Sequence, residues 1–368
     1  LSARRELPAT KLARVHNNDA LDLSRALFAG LDVDKGLINL GIAEGAGEKQ
    51  TAELTQVFEF VVDHVLPKAI IVFDGSEAAW ACSSVGSKKR VPIVHIGAGL
   101  RVDDSFAAGP ARKQTDLLAD LLYTTDAQAS ETLEREGVPL ERVHCVGNLL
   151  MDAMQLAMHA LAGSRLHRAG AGPEAFLGDR TGYALVAMNK PVNIGTRQSL
   201  IELLSMLRDI SRDIALVWPM QSSIESQLKK FRLDTAIDGE RITRLAAQPY
   251  PHYVSLIRNA TCVITDSWNA QEEATALGIP CLTVGAYPER AITASIGSNV
   301  AVGKSRALAT RAIWECIFNG GKRGRVPELW DGKTAARIAS YLSAWLPENI
   351  VEKDPWDDDA TVIDSAPP

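Results

Sequence analysis

The chain has 368 residues, of which 46% are hydrophobic and 23% charged, values of a folded globular protein rather than a disordered one. Its 45 acidic against 39 basic side chains leave a net charge of −6, the wrong sign for a protein that holds nucleic acid through clustered Lys and Arg. Its longest apolar runs, such as 69–73, fall far short of the roughly 18 to 20 residues that span a bilayer, so no membrane partner is expected. Five widely spaced cysteines without a C-x-x-C pair argue against a disulfide scaffold or structural zinc, and no metal is expected. No signal peptide is visible, and the expected location is cytoplasmic, although the chain opens at Leu1 without an initiating Met.

Short apolar runs alternate with amphipathic stretches along the chain, the pattern of a parallel α/β sheet. Strands are predicted at Lys11–Val15, Gly36–Leu40, Ala69–Phe73, Pro92–His95, Leu121–Thr124 and Val143–Val146. Between the second and third, Ala52–Leu66 carries Leu54, Val57, Phe58, Val61, Val62 and Val65 at helical spacing. A glycine-rich stretch over 162–182 has no period and reads as a connection. A second strand series then begins at Tyr183–Ala187 and continues through Ile214–Trp218, Ala260–Thr265 and Cys281–Val284. The acidic segment 348–368 reads as a solvated tail. The expected organisation is two Rossmann-like domains, 1–165 and 166–335, with a C-terminal helix and tail over 336–368 and a cleft between the domains. In such sheets ligands bind at the carboxyl ends of strands.

The most informative segment is 260–274, which runs Ala-Thr-Cys-Val-Ile-Thr265-Asp266-Ser267-Trp268-Asn269-Ala-Gln-Glu272-Glu273-Ala. A buried strand ends at Thr265, a polar turn follows, and a helix runs on to a stop at Gly278-Ile279-Pro280. The positive end of that helix suits a phosphate, and a carboxylate within its first turns can take the hydroxyls of a ribose. The same residues also suit a plain helix start, with Asp266 or Ser267 as the cap and the two Glu set against the helix dipole. No strand leads into G-x-G-x-x-G, which argues against a dinucleotide oxidoreductase.

This segment resembles the D-S-G-G-x-Q-E-E signature of the UDP-N-acetylglucosamine 2-epimerase family, which has the GT-B fold. In the same order along the chain, His95-Ile96-Gly97-Ala98-Gly99-Leu100-Arg101 resembles the family's H-x-E-A-G-L-R, and Gly147-Asn148 with Asp152 its G-N-x-x-x-D. Gln248 to Tyr253 resembles P-L-x-Y-x-x-F, Ala276 to Pro280 resembles A-x-x-x-G-x-P, and Glu289-Arg290 the start of E-R-P-E. The resemblance implies an α/β chain of the GT-B class. It assigns the nucleotide phosphate to Ser267, the ribose to Glu273 and the neighbourhood of the base to Tyr253. Lys190 and Arg290 are candidate cations for the diphosphate, the backbone N–H at Asn269 can face it, Asn193 is retained from the family's loop, and Arg101 is either a sugar contact or part of a loop charge cluster with Asp103 and Asp104. Tyr253 also fits a core position beside Leu256 and Ile257. The resemblance further implies a homodimer and no cofactor besides the nucleotide sugar itself.

The departures bear on the chemistry. The family's Glu in H-x-E-A-G-L-R is Gly97, its G-D-T turn is Asp74-Gly75-Ser76, and its P-E-E-x-N-R run resembles Pro110 to Thr115, which holds no carboxylate. A group that removes the sugar C2 proton must come within about 3 Å of it, and glycine or alanine offers no such group. The T-x-H-R-R-E-N loop reads Ala187 to Asn193, with Asn189 for the His and Lys190 for the first Arg. These losses lead to the expectation of a glycosyltransferase that moves a sugar from a nucleoside diphosphate to a small-molecule acceptor such as a thiol. The alternative is a 2-epimerase with relocated acids. Asp74, His95 and Glu77 are the candidate acid–base groups, chosen for their places at the ends of predicted strands or at the start of the following helix.

Overall fold

The computed structural model describes residues 14–16, 37–40, 42, 48–73, 75–101, 108–162, 176, 181–236, 240–285 and 290–346. By its contacts the chain divides into two compact units, Leu1–Leu149 with Asp331–Pro368, and Leu150–Trp330. The border expected at 165/166 falls in a stretch outside the described residues.

In the first unit, β1 (Arg14–His16) pairs in parallel with β2 (Leu37–Asn39). A separate four-stranded parallel sheet follows. It contains β3 (Ile70–Phe73), β4 (Ile93–Ala98), β5 (Leu121–Thr124) and β6 (Val143–Cys145), in that spatial order. Its connections are helical: α1 (Glu48–Val65) precedes β3, α2 (Glu77–Lys89) joins β3 to β4, α3 (Ala108–Leu118) joins β4 to β5, and α4 (Ala127–Arg135) follows β5. The stripe read from the sequence of α1 is the buried one. Leu54, Phe58, Val61 and Val62 enter the core with Ile70, Val72, Val85 and Ile93, and Val57 and Val65 pack at its margin. Each such side chain contributes roughly 1.5–3 kcal/mol when fully buried. Ser76 caps α2, its Oγ accepting from the Ala79 amide at 3.2 Å. Strand β4 runs on past His95 to Ala98. The register against β5 shifts between Ile96 and Ala98, and Gly97 there has φ +87°, a conformation that side chains with a Cβ resist.

The second unit holds α5 (Leu149–Ala162), β7 (Tyr183–Ala187), α6 (Pro191–Ile194), α7 (Arg197–Ser211), β8 (Ala215–Met220), α8 (Ser222–Lys230) and β9 (Ile242–Ala246). These are followed by α9 (Tyr250–Arg258), β10 (Cys262–Thr265), α10 (Trp268–Leu277), β11 (Cys281–Thr283), α11 (Ala291–Ser295), β12 (Asn299–Ala301) and α12 (Arg306–Asn319). The six strands pair only in parallel, in the order β9-β8-β7-β10-β11-β12. Numbered from β7, that order is 3-2-1-4-5-6, the doubly wound arrangement whose direction of winding reverses between its first and fourth strands. One face is filled by Leu200, Leu203, Leu204, Leu207 and Ile210 of α7 with Val186, Trp218 and Ile264. The other is filled by Leu256, Ile257, Ala270 and Ala274 with Tyr183, Leu185 and Val263. The last helix, α13 (Thr334–Trp345), belongs to the first unit: Ile338 and Leu342 pack on Val94, Ile96, Leu121 and Tyr123, and Arg337 donates to the Val146 carbonyl at 2.9 Å.

Candidate functional site

The carboxyl ends of β7 and β10 lie side by side, with Ala187 opposite Thr265. This is the switch point of the sheet, where a crevice for ligands opens in folds of this kind. Asp266 joins the two strand ends. One carboxylate oxygen accepts from the Asn189 amide at 2.9 Å, and the other accepts from the Lys190 amide at 3.1 Å and from Asn193 Nδ2 at 2.8 Å. Burial pushes the Asp266 carboxyl up, and these donors pull it back. Thr265 repeats the link: its hydroxyl donates to the Ala187 carbonyl at 2.6 Å and accepts from the Ser267 amide at 2.8 Å.

These bonds decide between the two readings of residues 266–273. Asp266 does not cap α10, because its oxygens are turned to the loop after β7. Ser267 is the N-cap residue by backbone, yet its hydroxyl makes no capping bond. The amino end of α10 therefore keeps a half-buried serine hydroxyl beside exposed Asn269. Such an end carries about half a positive charge and suits an anion. Lys190, half-buried at the N-cap of α6, lies on the same strand-end loop.

The neighbouring carboxylates Glu272 and Glu273 part company. Glu272 forms a buried ion pair with Arg290. Arg290 is thereby engaged with a carboxylate within the protein. Glu273 is 1% exposed, and its Oε1 accepts from the Tyr250 hydroxyl at 2.7 Å while Oε2 has no hydrogen-bond partner. Burial pushes the Glu273 carboxyl up to about 8; the Tyr250 bond opposes the rise and the charge of Glu272 adds to it. Tyr253, one turn on in α9, packs against the cluster that contains Leu256 and Ile257, and burial pushes its hydroxyl up. Behind α10, Asn299 donates to Gln271 at 3.3 Å and to Thr293 at 2.9 Å, and accepts from Thr283 at 2.8 Å. These bonds tie the helix to β11, β12 and α11.

The candidates in the first unit fall differently. Asp74 lies outside the described residues. Glu77 is exposed at the first position of α2, and its carboxylate accepts from the Thr51 hydroxyl at 3.4 Å. His95 is not at the end of its strand, as its sequence context led us to expect. It sits inside β4, fully buried, with Nδ1 2.6 Å from Asp116 Oδ1. Asp116 Oδ2 accepts from the Gly99 amide at 3.2 Å and from Arg101 Nη1 at 2.7 Å. Arg101 also grips Glu136 through Nε at 3.0 Å and Nη2 at 2.6 Å, and holds that carboxyl below its usual range. A single buried carboxylate thus gathers His95, Arg101 and the turn at Gly99. Gly75 is required by close approach: a Cβ there would lie 2.2 Å from Arg112 Cγ.

Sequence reasoning missed Asp116 and Tyr250. Asp116 shares the buried face of α3 with Ala111, Arg112 and Thr115, a mostly polar face that gives no apolar period to read in the sequence. Tyr250 is the first residue of α9, one turn before Tyr253, and shared its signal.

The sequence profile of the UDP-N-acetylglucosamine 2-epimerase family matches residues 15–343. The chain belongs to that family. The UDP-N-acetylglucosamine 2-epimerase of Methanocaldococcus jannaschii is 25% identical over 338 residues, covering 89% of this chain and 90% of its own. The UDP-2,3-diacetamido-2,3-dideoxy-D-glucuronate 2-epimerase of Pseudomonas aeruginosa is 25% identical over 340 residues, with 89% and 90% covered. Among solved structures, the M. jannaschii enzyme in complex with UDP-GlcNAc and UDP superposes with a TM-score of 0.84 at 25% identity, over 93% of this chain and 95% of that one. The α/β chain of the GT-B class expected from the sequence is therefore the fold found.

The expectation of a glycosyltransferase is overturned. The family profile and these relatives are named for 2-epimerases, and the small-molecule acceptor loses its basis with the transferase. The error lay in reading the departures at Gly97, in the turn 74–76 and over 110–115 as a change of reaction. No helix among the described residues is long and apolar enough to cross a membrane.

Proposed function

We propose that this chain is a nucleotide-sugar 2-epimerase that acts on a UDP-activated 2-acetamido sugar. The observation that carries the reading is the family match over 15–343 together with an uncapped Ser267 and a half-engaged Glu273 at the switch point of the second unit. In this reading the amino end of α10, with the Ser267 hydroxyl, takes the diphosphate. Asn269, Lys190 and Asn193 flank it, Glu273 takes the ribose, and Tyr253 lies by the base. The charge that develops on the diphosphate as the C1–O bond breaks is offset by the helix end and the Lys190 ammonium.

The proton at C2 needs a base within about 3 Å in the bound complex. Gly97 offers none, and its φ of +87° makes a glutamate there costly. Asp74 and Glu77, the relocated acids of the 2-epimerase reading of the sequence, are the groups we assign to that transfer. His95, held by Asp116, and Arg101 support the adjoining strand end. A homodimer is part of the proposal on the ground of the family resemblance.

The test is incubation with UDP-N-acetylglucosamine in heavy water, with the C2 position followed by NMR. Deuterium at C2 is expected. Tight binding of UDP without any exchange at C2 would sink the epimerase step and leave a nucleotide-sugar binding protein, the reading that Gly97 alone favours.

A further inference from the structure

Glu272 and Glu273 are adjacent on α10 and equally acidic in solution, yet they meet opposite surroundings. Glu272 is neutralised by Arg290, which precedes α11. Among the described residues, the groups that face Glu273 are Tyr250 and Tyr253 of α9 and Glu272 of its own helix, with the Cys281 thiol of β11 beside Tyr253. None of these is a cation. A buried carboxyl held by one neutral donor, with its second oxygen unsatisfied, is costly for the free protein. It suits a ligand that brings neutral hydroxyl donors.

We propose that Tyr250 is a positioning residue for nucleoside recognition: its hydroxyl fixes the Glu273 carboxyl by Oε1 and reserves Oε2 as the acceptor for the ribose hydroxyls. The proposal rests on the sugar-nucleotide reading above. Tyr250 is the first residue of α9, set by the extended backbone of Pro249 before it, and its donated bond spans from that helix to the middle of α10 at 2.7 Å. Burial and the carboxylate push its hydroxyl up, so it stays a donor throughout the ordinary pH range. A terminal carboxyl torsion is broad and roughly two-fold. Without the phenol, nothing selects which oxygen faces the ligand or at what angle.

The experiment is calorimetric titration of UDP and of 2′,3′-dideoxy-UDP into the full chain, its Tyr250→Phe variant and its Glu273→Gln variant, between pH 6.5 and 9. The wild type is expected to prefer UDP. Tyr250→Phe should weaken UDP by about 5- to 30-fold, the range of one lost buried hydrogen bond, and leave the dideoxy analogue within about twofold. UDP affinity should rise with pH as Glu273 ionises and level off near its value of about 8. In Tyr250→Phe that plateau should move higher, because the bond that favours the ionised form is gone. A merely structural role would weaken both ligands alike and leave the pH profile in place.

Unchanged discrimination in Tyr250→Phe, with discrimination lost in Glu273→Gln, overturns the proposal alone. A wild type that binds neither ligand overturns it together with the sugar-nucleotide reading. Should the Phe variant not fold, Tyr250→His, with a ring N–H donor in place of the hydroxyl, takes its place: partial discrimination supports the proposal, and discrimination equal to the wild type's overturns it.

Discussion

Glu273→Gln is expected to invert its effect on stability as pH changes. In the folded chain the Glu273 carboxyl is held at about 8, against an ordinary value of 4.5. Below pH 4.5 the carboxyl is protonated in both folded and unfolded states and contributes no pH dependence. As pH rises from 4.5 to 8 the unfolded chain releases a proton that the folded chain keeps, and stability falls. Above 8 both states are ionised and the cost stays level. At about 1.36 kcal/mol for each tenfold change in proton affinity, the cost reaches about 5 kcal/mol. Glutamine has the same shape, keeps an oxygen for Tyr250 and does not titrate. It leaves a buried amide N–H₂ where Oε2 has no partner, at a cost of about 1–3 kcal/mol. The variant should therefore be less stable than the wild type at pH 4.5 by about 1–3 kcal/mol. It should be more stable at pH 9 by about 2–4 kcal/mol, with the two equal at about pH 5–7. Urea unfolding of both proteins without nucleotide, at pH 4.5, 7 and 9, measures this difference directly. Parallel stability curves over that range would refute the reasoning, because Glu273 would then not be paying for its burial.

Asp116→Ala removes the carboxylate that bonds to buried His95 and pairs with half-buried Arg101. It should cost about 3–5 kcal/mol in chemical unfolding, the usual penalty for removing one partner of a buried pair. Asp266→Asn replaces an acceptor of three bonds with a group that accepts at only one atom. Hydrogen exchange at the Asn189 and Lys190 amides should speed up, while amides of α7, capped independently by Thr196, should not change. Gly97→Ala forces a Cβ into a conformation of φ +87° and should lower stability by roughly 1–2 kcal/mol, as read by thermal or urea unfolding.

Ten of the twelve strands among the described residues were legible as short apolar runs bounded by polar turns, and the three-residue β12 was not. Leu121–Thr124 and Tyr183–Ala187 have the predicted bounds, and the apolar stripe of α1 is the buried stripe. Strand β9 was not seen, since Ile242-Thr243-Arg244-Leu245-Ala246 lies at the sheet edge, half-buried to exposed, and carries a charge where a central strand carries Val or Ile. At the candidate site, the placement of Ser267 and Glu273 on the first turns of a helix was readable from the strand–turn–helix pattern. The destination of Asp266 was not, because its partners lie 73 to 77 residues away. His95 was misread for a related reason. The Gly97-Ala98-Gly99 run looks like a turn, but Gly97 serves an irregular strand that carries on to Ala98. The choice of reaction failed because local sequence shows which groups are missing at a position and not which others reach the same point in space.

The chain's two units differ in continuity, and this has a consequence for synthesis. The second unit is one uninterrupted stretch, Leu150–Trp330, whereas the first needs residues from Asp331 onward. On the ribosome the first unit's sheet emerges early, but the surface formed by Val94, Ile96 and Tyr123 stays uncovered until α13 arrives after the whole of the second unit. At about 5–20 residues per second, the wait for the intervening stretch is on the order of ten to forty seconds. A nascent chain with that apolar face exposed is a natural client for a holding chaperone. Truncation just before Thr334 would leave the apolar surface of Val94, Ile96 and Tyr123 without its covering helix.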